Sequence, residues 1–212
     1  MLDTDRHSLY SVPPPNYKGD IVLSNPNEAV KIVVILDESG SMYHLQMDVI
    51  GGFNRLIDEQ KALEGAADVT LYTFSSGVRM PIDGKNVQEV EPLSVYSYSP
   101  DGGTAMNDAI GQALTKLLFE NPAKAIINIF TDGQENASRE YSREQVKELI
   151  AQAEAKGYQV VFLAANMDEV SVGASMGLMA GSTRGFSANA VGMEYAYLQA
   201  SSATTNYRST PL

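Results

Sequence analysis

The stretch Lys31-Ile32-Val33-Val34-Ile35-Leu36-Asp37-Glu38-Ser39-Gly40-Ser41 decides how this chain reads. Ile32 to Leu36 is an unbroken aliphatic run, rich in β-branched residues and stopped by a carboxylate. A run this short that is apolar at every position buries both faces, as strands of a parallel sheet do. Beyond the polar turn, Met42, Leu45, Val49, Ile50, Phe53, Leu56 and Ile57 recur at helical spacing on one face. A buried strand, an abrupt turn and an amphipathic helix form the first part of a βαβ unit.

The same order repeats along the chain. Val69–Phe74, Ala125–Phe130 and Val160–Ala164 are further strand candidates. Met106, Ala109, Ile110, Ala113, Leu114, Leu117 and Leu118 make a second helical stripe. Val146, Leu149, Ile150 and Ala153 make a third, opened by a Ser142/Gln145 capping box and closed by Gly157 at the C′ position. Residues 78–82 and 87–91, on either side of Asp83-Gly84, predict short strands or a hairpin at the sheet edge. A short strand near 184–187 and a last helix from Asn189 to Ala203 complete the pattern. Strands alternating with helices predict an α/β fold. It is three-layered and doubly wound, with a mostly parallel central sheet, one antiparallel edge strand and helices on both faces. The domain is expected over 30–205. An extension over 1–29 precedes it, with Pro13-Pro14-Pro15 favouring extended chain, and a tail over 206–212 follows.

Of 212 residues, 26 are acidic, 15 basic and none is cysteine, for a net charge of −11. The missing cysteines exclude disulfides, thiolate metal sites and a Cys nucleophile. The acidity speaks against nucleic acid and anionic membrane as partners, since phosphates need Lys and Arg. No apolar stretch approaches the roughly 20 residues of a membrane span. The opening residues 1–7 lack a basic segment followed by an apolar one, so the expected compartment is the cytoplasm.

The chemistry concentrates where strands hand over to helices, at the carboxyl edge of the sheet, where ligands bind in this architecture. Asp37, Ser39 and Ser41 offer one carboxylate and two hydroxyls at alternate positions. Asp101-Gly102-Gly103-Thr104 precedes the second helix and brings the Thr104 hydroxyl to the same edge. Thr131-Asp132-Gly133 ends the neighbouring strand, so Asp132 faces Asp37. Oxygen-only donors suit a hard cation: Mg²⁺, with Mn²⁺ or Ca²⁺ as substitutes.

Enzyme readings fit less well. Gly173-Ala174-Ser175-Met176-Gly177 has the G-x-S-x-G spacing. However, Ser175 lies well past the strand end at Ala164, and His7 and His44 are both upstream of it, so a nucleophile elbow fails. Neither a G-x-x-x-x-G-K-[ST] nor a G-x-G-x-x-G loop occurs. Asp37 could serve as the nucleophile of a Mg²⁺-dependent phosphatase-like enzyme, but Ser39 stands where that chemistry wants a second Asp. A structural subunit with a vestigial metal site is the other alternative. Glu38 and Glu135 read as exposed charge.

With these residues in view, the chain resembles a von Willebrand factor A domain, the fold shared with integrin inserted domains. That family's metal-ion-dependent adhesion site has the pattern D-x-S-x-S, then a distant Thr, then a distant Asp. Asp37, Ser39, Ser41, Thr104 and Asp132 match it in order. The resemblance implies a protein-interaction module, not an enzyme. Ser39, Ser41 and Thr104 would touch the cation, Asp37 and Asp132 would hold it largely through water, and a partner protein's Asp or Glu carboxylate would take an open position. It also implies that the last helix can move with the metal site, and that small free-standing relatives occur in bacteria and phages. Tyr43, His44, Tyr98 and Glu135, in loops beside the site, are the expected partner contacts.

Overall fold

A computed structural model describes residues 29–165, 176–178 and 182–211. The polyproline segment and Gly173–Ser175 of the G-x-S-x-G stretch lie outside the described residues.

Strand β1 is Val30–Asp37, β2 Ala67–Phe74, β3 Val78–Asn86, β4 Ala125–Thr131, β5 Gln159–Ala165 and β6 Thr183–Phe186. The helices are α1 Gln46–Lys61, α2 Met106–Glu120, α3 Arg143–Ala155 and α4 Ala190–Ser209. The six strands lie in the order β3-β2-β1-β4-β5-β6. Pairing is parallel except for β3, which runs antiparallel to β2 at one edge. The doubly wound α/β fold expected from the sequence is therefore the one present.

The sheet separates two apolar layers, and the alternation of each strand decides which layer a residue joins. Ile32, Val34 and Leu36 of β1 pack with Phe53 and Leu56 of α1 and Met193 and Ala196 of α4. Val33 and Ile35 pack on the other side with Ile110 and Leu114 of α2 and Val146 and Ile150 of α3. The Ser142/Gln145 capping box closes in both directions at the start of α3, and Gly157 takes a positive φ of 82° just past its end.

Three boundaries differ from the sequence expectation. First, no hairpin turns at Asp83-Gly84. Leu71 pairs with Ile82 and Val69 with Lys85, so one extra residue is accommodated in β3 as a bulge. Gly84 supplies the positive φ of 57° there, and its N–H donates to Thr70 Oγ1. Second, Met42 and Leu45 belong to a 3-10 turn, Gly40–Leu45, that precedes α1. Third, α4 continues past Ala203 to Ser209, so the boundary expected at 205 falls inside a helix.

The last two turns of α4 are held by polar contacts, which a hydrophobic stripe does not reveal. Asn128 Nδ2 donates to Thr204 Oγ1, Tyr207 donates to the Gly157 carbonyl, and Arg208 donates to the carbonyls of Gln60, Glu64 and Gly65. The Lys124 ammonium donates to the carbonyls of Tyr207 and Thr210 and sits 4.8 Å from the Tyr207 ring centre. Its place at a helix C-terminus suits the negative end of the helix dipole.

Helices α1 and α4 meet at Gly52, where a Cβ would lie 2.1 Å from the Tyr197 ring. Tyr197 in turn stacks on Phe130 of β4, with ring centres 4.3 Å apart. Gly52→Ala should therefore destabilise the fold by about 1–3 kcal/mol through overpacking, despite alanine's better helix propensity. Urea denaturation measures this; an unchanged or raised midpoint would show that the helix pair gives way freely.

Candidate metal centre

The first loop grows directly out of β1. Its residue Asp37 has no solvent exposure, yet both carboxylate oxygens find donors. The Ser39 N–H donates to Oδ1 at 2.8 Å and Thr131 Oγ1 donates to Oδ2 at 2.6 Å. The backbone carbonyl of Asp37 accepts the Tyr98 hydroxyl at 2.6 Å. Burial holds the Asp37 carboxyl above its ordinary range. The hydrogen bonds from Ser39 and Thr131 pull it back down, and the nearby Asp132 charge adds to the rise.

Above this buried base the donor atoms step toward solvent. Ser39 Oγ lies 3.0 Å from Ser41 Oγ, and Ser41 Oγ donates to Asp132 Oδ1 at 2.6 Å. Gly133 shows where Thr104 stands: a Cβ at 133 would meet Thr104 Oγ1 at 3.2 Å and Ser41 Oγ at 3.6 Å. The hydroxyls of Ser41 and Thr104 thus flank one glycine, where a Cβ would crowd Thr104 Oγ1 and merely touch Ser41 Oγ. Asp37 and Ser39 are buried, Asp132 is half-buried and Ser41 is exposed.

A second and a third loop are tied to the first by backbone geometry. The Gly40 N–H donates to the Gly102 carbonyl and the Asp101 N–H to the Glu38 carbonyl. Gly102 needs its positive φ of 75°, and a Cβ there would lie 2.7 Å from Ser76 Oγ. The Thr104 N–H donates to Asn136 Oδ1 at 2.9 Å, and the Asn136 N–H donates back to the Thr104 carbonyl. This reciprocal pair sets the height of the Thr104 hydroxyl against the loop that carries Asp132.

The donor set fits a hard cation. Five oxygen-bearing side chains converge and none is His or Cys. The 3.0 Å between the Ser39 and Ser41 oxygens matches the edge of about 2.9 Å that neighbouring ligands of an octahedral Mg²⁺ share. Among the described residues no group of three or more His, Cys, Asp or Glu side chains is placed to hold a metal; this site offers two carboxylates and three hydroxyls.

The sequence profile of the von Willebrand factor type A domain matches residues 31–199. The chain belongs to that family. No curated protein matches it by sequence. Among solved structures, the VWA chain is similar to the vWF domain of the type V pili tip protein Mfa5 from Porphyromonas gingivalis. The TM-score is 0.66 at 9% identity, over 87% of this chain and 98% of that one. It is also similar to the PilB minor pilin from Streptococcus sanguinis (TM-score 0.64, 13% identity, 87% of this chain and 64% of that one). A third likeness is to manganese-loaded Plasmodium vivax TRAP protein (TM-score 0.60, 15% identity, 86% and 74%). A mussel byssus matrix protein, PTMP1, is matched over 47% of its length, so the VWA chain spans about half to two thirds of some of its neighbours. At these identities the likeness is one of fold. VWA domains are typically adhesion or protein-interaction modules, mostly non-enzymatic, and often bind divalent metals.

The partner contacts expected of this VWA domain divide. Tyr43 is exposed and so free to meet a partner. His44 is exposed too, but its two ring nitrogens face the carbonyls of Ser41 and Ala188, so it also links the first loop to the start of α4. Tyr98 is corrected: it is fully buried, and burial pushes its phenol well up, so it stays a proton donor to Asp37. Tyr96, two residues earlier, is the exposed one, at 96%. Glu135 is corrected as well. Its carboxylate accepts the N–H groups of Asn107, Ala137 and Ser138 and the Ser138 hydroxyl, stapling its loop to the start of α2. Asp108 does the same for Arg139, Glu140 and Tyr141. Glu38 is not exposed charge; it is buried, pairs with Arg79 and accepts the Ser99 N–H.

Sequence reading passed over Thr131 and Asn136 as positioning residues. Thr131 stands beside Asp132, where only the parallel pairing of β1 with β4 shows that its hydroxyl meets Asp37. Tyr98→Phe should lower stability by about 1–3 kcal/mol, because the buried Asp37 carbonyl loses its donor. Tyr96→Phe should stay within about 0.5 kcal/mol, as surface changes do. Thermal melts of the two variants check the contrast, and equal midpoints would refute it.

Proposed function

We propose that this VWA domain is a metal-dependent protein-interaction module. Its metal-ion-dependent adhesion site is formed by Asp37, Ser39, Ser41, Thr104 and Asp132. The observation that carries the reading is the convergence of those oxygen donors from three loops onto one edge of the sheet. Ser39, Ser41 and Thr104 would hold Mg²⁺ directly and the two carboxylates largely through water; Mn²⁺ or Ca²⁺ would suit the same oxygens. When bound, the ion supplies a centre of positive charge that attracts a carboxylate oxygen from an Asp or Glu of a partner protein.

The chain's own residues do the remainder. Thr131 and the Ser39 N–H keep Asp37 oriented at the base of the site. Asn136 fixes Thr104, and Asp132 orients the Ser41 hydroxyl. Exposed Tyr43 and Tyr96 supply flat, amphipathic surface for the partner around the metal. The manganese in the TRAP neighbour and the pilus setting of Mfa5 and PilB support this reading by likeness.

Calorimetry should detect Mg²⁺ binding at millimolar concentration or below. Ser41→Ala and Asp132→Ala should each weaken it by about tenfold or more while circular dichroism stays unchanged. A partner recovered from the native host should be lost when EDTA is added. Retention in EDTA would overturn the reading. So would metal-dependent hydrolysis of a phosphate ester that Asp37→Ala abolishes.

A further inference from the structure

A groove of about 370 Å³ lies between α1 and the first half of α4. It is separate from the metal donors and shares no residue with them. Met47, Val191 and Leu198 line it and are exposed at 66%, 77% and 38%. These are large apolar side chains left in water along one concave strip.

Two adjacent glycines of α1 also line the groove, and they differ. Gly52 is explained by Tyr197, which fills the space of its missing Cβ. Gly51 is exposed and in mid-helix, and a Cβ there would meet nothing within 4 Å. Glycine destabilises a helix interior relative to alanine. Nothing in the fold requires Gly51 to be small, and the α1 backbone there is open to close approach.

The charge around the groove names the occupant's chemistry. Among the described residues that line it, Asp48, Glu59 and Glu194 stand against one cation, Arg55. Arg55 already reaches Glu59 at 2.9 Å and Glu194 at 3.5 Å. The rim is therefore acidic. A second copy would bring the same acidic rim. Residues 1–28 carry Arg6 and Lys18 against Asp3, Asp5, Asp20 and Glu28, an acidic balance as well.

We propose that this groove docks an amphipathic helix of a partner protein. Its apolar face would lie on Met47, Val191 and Leu198, its backbone would cross close to Gly51, and Lys or Arg would flank the apolar face. The docking is independent of the metal. Affinity comes from apolar burial, and the acidic rim selects the sign of the partner's charge.

The test uses the full chain in EDTA, so that the metal site contributes nothing. The probe is a synthetic amphipathic helix of Leu and Lys, about five turns long, compared with its Leu and Glu counterpart. NMR titration should move the amides of Gly51, Val191 and Leu198 with the Lys peptide and leave them in place with the Glu peptide. Gly51→Leu should weaken binding by about tenfold or more. Gly51→Ala should raise the melting temperature of the free chain while also weakening binding. Equal binding of the two peptides, or full binding by Gly51→Leu, overturns the proposal. It is equally overturned if deleting residues 1–28 is what opens the groove to the Lys peptide, since the chain then occupies its own groove. A concentration-dependent dimer that Val191→Asp disperses would assign the groove to a second copy and overturn it too.

Discussion

A carboxylate with no exposure must be surrounded by donors, and the upper edge of this sheet is arranged around that requirement at Asp37. Its two oxygens and its carbonyl draw on three separate parts of the chain: the Ser39 backbone, the Thr131 hydroxyl at the end of β4, and the Tyr98 hydroxyl from the loop before α2. Each donor fixes the loop that carries it. The Asp37 carboxylate thus links its own loop to the end of β4, while its backbone carbonyl holds the loop before α2 through Tyr98. The hydroxyls of Ser39, Ser41 and Thr104 inherit their positions from these links. Burial works against the ionised form of Asp37, and the hydrogen bonds offset it only in part. A cation above the carboxylate would complete the compensation.

The strands were legible because the central ones are covered on both faces. Ile32–Leu36 and Ala125–Phe130 are aliphatic almost throughout, a pattern that neither an amphipathic helix nor a half-exposed strand produces. Adjacency of β1 and β4 then made the approach of Asp132 to the first loop a matter of topology. Of the five candidate donor positions, Asp37, Ser39, Ser41 and Asp132 follow strand ends, the most legible points in the chain, while Thr104 stands just before α2. Thr131 escaped notice because its role depends on which face of β4 its side chain takes, beside a more conspicuous Asp.

What the sequence hid is instructive in Ser94-Val95-Tyr96-Ser97-Tyr98-Ser99. Two tyrosines stand two residues apart in nearly identical local settings; one is almost wholly exposed and the other wholly buried. The difference comes from α1 and β1, since Gln46 Nε2 donates to the Tyr98 carbonyl and the Tyr98 hydroxyl reaches Asp37. No local propensity carries that information. The bulge at Gly84 is similar. A glycine with positive φ serves a turn or a bulge equally well, and only continued pairing of Lys85 and Asn86 with β2 decides between them. The far end of α4 was missed for a third reason. Thr204, Tyr207 and Arg208 are held by hydrogen bonds instead of by an apolar stripe.

That polar anchorage has a mechanical consequence. Arg208 grips the end of α1 through the carbonyls of Gln60, Glu64 and Gly65, and Lys124, just before the central strand β4, grips the end of α4. Tension on the chain beyond Thr210 therefore meets these two cationic clasps before it reaches any strand pairing. The clasps bind mostly main-chain oxygens, which every residue type provides, with the Gln60 side-chain oxygen as an added acceptor for Arg208. The α1–α4 pair is thus fastened at its foot by cations on main-chain oxygens, and nearer the metal loops by Tyr197 packed on Gly52 and Phe130.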